Sequence, residues 1–424
     1  MINKDYFKGK SVAIIGLARS GLSCANLLHS LGARVWVTDC LDNKSTRLNS
    51  RKLRSADIKS ELGKHSPGFI KGRDIIVASP GVSDESKPLI WAKGEGIPVI
   101  SEVEVAGILC PGQIIAVTGS NGKTTVTTLI SKILKTAGKN VFTCGNIGNP
   151  FCGEVKRIKE SDFVCLEVSS FQLQKIKKFK PKVSVVLNFC RNHLDRHKDM
   201  REYLEAKKRI FKNQGPDDFT VLNSDDKTVK GLGERTRSRV VYFKGTSKLN
   251  SNQAAAVKVA GIFGISREFC ERIFKDFKGI EHRMEFVGEL NRVKFINDSK
   301  ATTAESTAWA LRNISSPIIL IAGGRHKGVD YSLALPEALE KVKLVILIGE
   351  ARDKIKKAFK NALPVDEALS LEDAVKKAYS KTVAGDCVLL SPMCSSFDMF
   401  SSYEERGRIF KKIVAQLVKI KCAG

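Results

Sequence analysis

Nowhere in this chain do two cysteines stand in a Cys-x-x-Cys pair, and its 11 cysteines are odd in number and scattered. That argues against a zinc ribbon and against a disulfide framework. Most cysteines read as small buried apolar residues, with Cys24 and Cys165 lying inside apolar patterns. No apolar run approaches the ~18–20 residues that cross a bilayer, so no membrane span is expected. There is no fixed-period repeat, no low-complexity linker and no aromatic-interleaved RNA-binding signature. The opening Met1-Ile2-Asn3-Lys4-Asp5-Tyr6 is charged and runs almost at once into a strand-like segment. This reads as no secretory signal, and the expected compartment is the cytoplasm.

Acidic residues are also few relative to basic ones: 45 against 71, a formal charge of +26. The lysines are spread, as in Lys356-Lys357, Lys376-Lys377 and Lys411-Lys412, each on a helix-like segment whose other positions are apolar. They form a solvated surface rather than a nucleic-acid stripe, and no nucleic-acid partner is expected. A positive field still helps to collect anionic nucleotides.

What is present is a phosphate cradle. Thr118-Gly119-Ser120-Asn121-Gly122-Lys123-Thr124-Thr125 follows the apolar run Ile114-Ile115-Ala116-Val117 and precedes Val126, Leu129, Ile130, Ile133 and Leu134 at helical spacing. Glycines let backbone N–H groups approach phosphate oxygens, and the helix N-terminus adds a favourable dipole. Lys123 can reach the outer phosphates, and Thr124 can hold Mg²⁺. Val117 stands where the usual loop has its first glycine, so the loop is a shortened variant.

Strand-like runs alternate with helical patterns along 424 residues, which implies α/β architecture with mostly parallel sheets, in two to four domains at roughly 100–200 residues each. The first block opens Val12-Ala13-Ile14-Ile15, turns through Gly16 to Gly21, forms a helix to about Leu31, and returns as Val35-Trp36-Val37-Thr38-Asp39. Ala18 replaces the middle glycine of the dinucleotide fingerprint, which favours a nucleotide sugar over NAD. Ile75–Ala78 leads to a tight turn at Ser79-Pro80-Gly81. The second block adds strands at Phe163–Val168, Val183–Leu187 and Phe219–Leu222, and the third, from about Glu281, adds Val293–Ile296, Ile318–Ala322, Leu344–Ile348 and Cys387–Leu390.

Ligands collect at the carboxyl ends of strands in such sheets. Glu167 ends one strand and suits Mg²⁺ through oxygen. His193 lies just after another, and Asp298-Ser299-Lys300-Ala301-Thr302 after a third. Asp298, Ser299 or Thr302 is either a helix N-cap or a ligand group, while Lys300 suits a phosphate or carboxylate. Gly323-Gly324-Arg325-His326-Lys327-Gly328 repeats the pairing of glycines with cations.

Together, Thr118–Thr125, Gly145-Asn146-Ile147-Gly148, Leu166–Leu173, Asn192-His193-Leu194-Asp195, Asn297–Thr302 and Leu390–Asp398 resemble the Mur ligase family of peptidoglycan synthesis, on its D-glutamate-adding side, over nearly the whole chain. The resemblance implies three domains: a UDP-binding Rossmann-like domain over 1–102, a P-loop ATPase domain with a mostly parallel sheet over 103–280, and a Rossmann-like amino-acid-binding domain over 281–424. It implies ATP-dependent amide formation between UDP-N-acetylmuramoyl-L-alanine and D-glutamate through an acyl phosphate, by a monomer. Lys123, Glu167, His193, Lys207 and Lys300 are then catalytic. Thr124, Glu167, His193 and a carbamylated Lys207 hold two Mg²⁺ ions, with Lys208 as the neighbouring register. Gly119, Ser120, Asn121, Gly122, Lys123, Thr124, Thr125, Asn252, Arg283 and Asp298 bind ATP. Ser20, Asp39, Ser79, Pro80, Gly81, Asn146, Ser169, Thr302, Lys327, Ser396 and Tyr403 bind the other substrates. Thr303 stands where the family usually has Asn, and Leu41 where it often has a basic residue on uracil.

Overall fold

The computed structural model describes residues 4–190, 196–277, 279–326, 328–359 and 362–422. His193 and Lys327 lie outside the described residues. Contacts divide the chain into two compact units, 1–277 and 278–424.

The first unit contains two sheets. One is built from β1 (Ser11–Ile15), β2 (Arg34–Asp39), β3 (Lys59–Leu62), β4 (Ile75–Ala78) and β5 (Val99–Ser101) in the order β3-β2-β1-β4-β5. The other uses β6 (Gln113–Thr118), β7 (Val141–Gly145), β8 (Phe163–Glu167), β9 (Val183–Val186), β10 (Phe219–Asn223) and β11 (Arg239–Phe243) in the order β11-β10-β9-β6-β8-β7. Every pairing in both is parallel. Parallel strands covered on both faces need apolar residues at successive positions. Accordingly β1, β8 and β9 are buried at every residue.

Helix α1 (Arg19–Ser30) follows β1, and α2 (Lys123–Thr136) follows β6. On α2, Val126, Leu129, Ile130, Ile133 and Leu134 are all buried, the stripe expected from their spacing. Helices α3 (Met200–Lys208) and α4 (Ser251–Ile262) complete the parts that reach the site.

The two sheets share one apolar core. Val12, Ile14 and Val37 belong to the same cluster as Val103, Val105, Ile114, Ala116 and Phe179. The segment between the sheets, Glu102–Leu109, is helical and mostly buried. Gly107 packs so closely on Phe179 that a Cβ there would lie 2.5 Å from the ring. Two buried carboxylates fasten this helix. Glu104 accepts from the amides of Lys178 (2.6 Å) and Phe179 (2.9 Å). Glu102 Oε1 accepts from the Cys152 amide at 2.5 Å, while its Oε2 has no partner among the described residues.

The second unit holds β12 (Glu285–Leu290), β13 (Val293–Asn297), β14 (Ile318–Gly323), β15 (Val342–Ile348), β16 (Val365–Glu367) and β17 (Cys387–Leu390) in the order β12-β13-β17-β14-β15-β16. Among the described strands of this sheet, the β12–β13 pair is antiparallel and the other pairs are parallel. Helices α5 (Ala304–Arg312) and α6 (Tyr403–Cys422) flank it. No helix among the described residues is long and apolar enough to cross a membrane.

Burial pushes the Glu102 carboxyl from its ordinary 4.5 up to about 7, against the opposing pull of the Cys152 amide. The folded chain therefore keeps a proton that the unfolded chain has already released. The stability this contributes is whole below pH 4.5 and is lost as pH rises through about 7. Glu102→Gln keeps the neutral shape. In urea titrations it should gain about 2 kcal/mol on the wild type between pH 5 and pH 8. Parallel pH responses would contradict a neutral Glu102.

Candidate functional site

In the first sheet the chain reverses its direction of winding between β1 and β4, the strands that lie side by side at its centre. Open α/β sheets bind ligands at such a point. The turn after β1 and the turn after β4 meet there: Ser79 Oγ donates to the Gly16 carbonyl at 3.3 Å. Asp39, at the end of β2, accepts from the amides of Leu17 (2.7 Å) and Leu41 (2.9 Å), so its carboxylate shapes the first turn. Ser20 lies in the first turn of α1. Leu41 is 55% exposed.

In the second sheet, Val117 and Gly145 are both register partners of Glu167. This brings the loop after β6, the end of β8 and the turn after β7 together. Gly122 begins α2 with φ +81°, and a Cβ on it would sit 2.5 Å from Asn252 Oδ1 on α4. Asn252 is thus packed on the phosphate loop. Two lysines donate to one carbonyl oxygen, that of Gly119: Lys123 Nζ at 2.9 Å and Lys207 Nζ at 2.8 Å. Lys123 also reaches the Ser120 carbonyl at 3.0 Å. Thr124 is buried at the start of the helix, with Thr125 beside it.

Lys207 is 1% exposed on α3 and lies 4.5 Å from the Tyr203 ring centre. Burial, and then the charge of Lys123, hold its amine well below the usual lysine range. Lys208 is instead half-buried and paired with the exposed Glu205 at 2.8 Å. Of the two registers, only Lys207 faces the loop.

Glu167 is 2% exposed. Its Oε1 accepts from Asn146 Nδ2 at 2.7 Å, while Oε2 has no partner among the described residues. A buried carboxylate oxygen without a donor is costly unless a cation meets it, so this group fits a hard divalent metal. No three His, Cys, Asp or Glu side chains gather as a metal cage among the described residues. A metal here would be held by Glu167, with the Thr124 hydroxyl on the neighbouring loop as a further oxygen ligand. Ser169 caps the short helix after β8, sharing a capping box with Gln172.

Several contributors escape sequence reasoning. Asn188 Oδ1 accepts from the Asn121 amide at 2.8 Å, and the Cys190 carbonyl and amide both bond Ser120 Oγ. Tyr203 OH lies 3.2 Å from Ser120 Oγ. Tyr203 stands four residues before Lys207, so one helical turn aligns them. That spacing is the only signal the sequence offers.

The second unit has its own cluster, formed where β13, β17 and β14 end side by side. Asp298 accepts from Ser391 Oγ at 2.9 Å and from the Met284 amide at 3.2 Å. Burial pushes its carboxyl up to about 7, opposed by those two bonds and by the charge of Arg283. Arg283 sits between His282 and Met284, both at positive φ (64° and 46°), and faces the Trp309 ring at 5.9 Å. Lys300 Nζ lies 5.9 Å from the Tyr403 ring centre. Thr302 is half-buried and Ser396 buried. The cap of α5 is Thr303, whose side chain accepts from the Ser306 amide, so Asp298, Ser299 and Thr302 are not caps. Arg406 binds the cluster together. It is wholly buried on α6 and donates to Ser299 Oγ and O (2.9 Å each) and to the Cys394 carbonyl (3.2 Å). On a lysine-rich helix this arginine reads as surface.

A glycine-loop nucleotide cradle on a parallel sheet, beside a buried strand-end carboxylate, defines a P-loop-type nucleotide-binding α/β protein. Three family models match the chain in succession: Mur ligase MurD-like, N-terminal domain, over 10–101; Mur ligase middle domain, over 117–292; and Mur ligase, glutamate ligase domain, over 282–394. The chain belongs to the Mur ligase family. It is 40% identical to the UDP-N-acetylmuramoylalanine–D-glutamate ligase of Thermoanaerobacter pseudethanolicus, over 97% of this chain and 99% of that one. It is 38% identical to the enzyme of that name from Clostridioides difficile, over 97% and 99%. Among solved structures, a UDP-N-acetylmuramate-alanine ligase of Thermotoga maritima superposes with TM-score 0.58 at 16% identity, covering 96% of this chain and 99% of that one. A pseudomurein peptide ligase type C of Methanothermus fervidus gives 0.55 at 19% identity, over 96% and 100%. These two share the fold.

Gly122→Ala places a side chain in left-handed backbone and against Asn252. At roughly 1–2 kcal/mol for the backbone alone, binding of an ATP analogue, measured by calorimetry, should weaken about tenfold or more with the far-ultraviolet spectrum unchanged. Lys208→Ala, which breaks a partly exposed ion pair, should alter stability by less than about 1 kcal/mol.

Proposed function

We propose that this chain is an ATP-dependent ligase that joins D-glutamate to UDP-N-acetylmuramoyl-L-alanine, releasing ADP and phosphate, in peptidoglycan precursor synthesis. The observation that carries this reading is the near end-to-end relation to ligases of that name, in a chain whose phosphate loop and Glu167 suit ATP and Mg²⁺. A carboxylate is a poor acceptor for an amine at neutral pH. Its attack on the γ-phosphate forms a C–O–P linkage and expels ADP. The D-glutamate amine then adds to the carbonyl carbon and gives up a proton to solvent, and the C–O bond to the phosphoryl group breaks so that phosphate leaves with that oxygen.

Each residue's part follows from its chemistry. Lys123 can turn from the Gly119 and Ser120 carbonyls to the phosphates, trading neutral acceptors for charged ones. Bound Mg²⁺ supplies charge neutralisation at the phosphate oxygens. Glu167 and Thr124 would hold it, with His193 as a further ligand. Burial and the nearby Lys123 charge hold the Lys207 amine well below the usual lysine range, which favours the neutral amine that adds carbon dioxide. The resulting carbamate would offer anionic oxygens to a second ion. Asn252, Arg283 and Asp298 serve the nucleoside. Ser20, Asp39, Ser79, Pro80, Gly81, Asn146 and Ser169 serve the muramoyl nucleotide. Lys300, Thr302, Lys327, Ser396 and Tyr403 serve D-glutamate. The working divisions are 1–102, 103–280 and 281–424, in a cytoplasmic monomer.

The direct test is ADP release with ATP, UDP-N-acetylmuramoyl-L-alanine and D-glutamate, each omitted in turn. Turnover should require all three, and release that is indifferent to D-glutamate would overturn the proposal. Lys123→Ala should lower turnover by about 100-fold or more, the usual cost of losing a charge-stabilising donor. Lys207→Ala should lose activity that bicarbonate or a short-chain acid partly restores. Absence of rescue would remove the carbamate role.

A further inference from the structure

The turn after β4 and the phosphate loop are joined by an unbroken chain of side chains. Arg196 lies at one end. Its guanidinium donates to three carbonyls of that turn: Pro80 (3.3 Å), Gly81 (3.4 Å) and Val82 (3.2 Å). The same guanidinium lies over the Phe171 ring, 4.7 Å from its centre. Phe171 stacks on His197 at 5.1 Å with the planes 9° apart. His197, 1% exposed, is fixed by Ser170 Oγ at 2.9 Å, and its ring meets Tyr203 at 5.0 Å. Tyr203 in turn touches Ser120 Oγ through its hydroxyl and Lys207 through its ring. Arg196, Phe171 and His197 wall a cavity of about 530 Å³ that Ser79 and Pro80 also line.

We infer that Arg196 is a positioning residue that couples occupancy of the Ser79–Val82 turn to the geometry of the phosphate loop, so that the muramoyl nucleotide and ATP raise each other's affinity. The inference rests on the proposed assignment of that turn to the muramoyl nucleotide. Its physical basis is the shape of the group. A planar guanidinium can fork to several carbonyls of one turn while stacking on an aromatic face; an ammonium cannot do both. Each bond is long and exposed, so none holds the turn strongly in the absence of ligand. A ligand that orders the turn also orders the guanidinium and the rings packed behind it. Those rings touch Ser120 and Lys207, which shape the cradle. Coupling of this kind is reciprocal.

Calorimetry of a non-hydrolysable ATP analogue, with and without UDP-N-acetylmuramoyl-L-alanine, tests it. In the wild type the muramoyl nucleotide should tighten analogue binding about fivefold or more, the lower end of ordinary coupling. In Arg196→Gln the ratio should fall to within about twofold of unity, while binding of the analogue alone stays at the wild-type value. Arg196→Lys should not restore the ratio. If Arg196→Gln does not fold, Phe171→Leu removes the ring beneath the guanidinium and must lose the same ratio. The inference is overturned by a wild-type ratio in Arg196→Gln or Phe171→Leu, by full restoration with lysine, or by no coupling in the wild type. Failure of the wild type to bind the muramoyl nucleotide at all would overturn the proposed function and this inference with it. Binding of both ligands with an unchanged ratio in the variants overturns the inference alone.

Discussion

Parallel pairing is the constraint on which the chemistry of this chain depends. A parallel strand must be re-entered from the same end, so all the turns that leave carboxyl ends lie along one edge of a sheet. In the second sheet that edge carries the phosphate loop, Glu167 and Asn146 on three adjacent strands. In the sheet of the second unit it carries the Asp298 loop, the glycine pair Gly323-Gly324 and the segment that starts at Ser391. Polar residues distant in sequence become neighbours because their strands do.

The cradle is held ready at some electrostatic cost. Two amines converge on the Gly119 carbonyl, and the buried one cannot comfortably carry its charge beside the other. Like charges in a poorly solvated place favour the neutral form of the less hydrated partner. The Glu167 oxygen that has no donor among the described residues is the complementary feature, a buried negative group beside those amines' loop. Native structures keep such features where ligands complete them.

The sequence made the inner strands legible and hid the edges. Runs such as Ile114–Val117, Phe163–Leu166 and Ile318–Ala322 are apolar throughout because neighbours cover them on both sides. The unannounced strands β3, β5, β7, β11, β12 and β16 are all sheet edges. Lys59–Leu62 and Val365–Glu367 have no buried residue at all. An edge strand faces water along one side, and charge there also blocks pairing with other chains, so its pattern does not rise above that of a loop. In the site, the loop itself and Glu167 were readable because local sequence builds them. Arg406, Arg196 and Asn188 were not, since their partners lie on other elements and a charged or amide residue in isolation reads as solvated. Thr303 shows the reverse case: a departure from the family pattern that has a plain structural use as a cap.

The helix over Glu102–Leu109 sets a limit on dissection. Its apolar residues join the cores of both sheets of the first unit, and its two carboxylates accept amides from Cys152, Lys178 and Phe179. Severing the chain just after Glu102 would strip the first sheet of part of its packing and leave the Cys152 amide without its acceptor. The amino-terminal lobe is therefore a poor candidate for excision as a free-standing nucleotide-sugar module, even though its pattern of strands and turns looks complete.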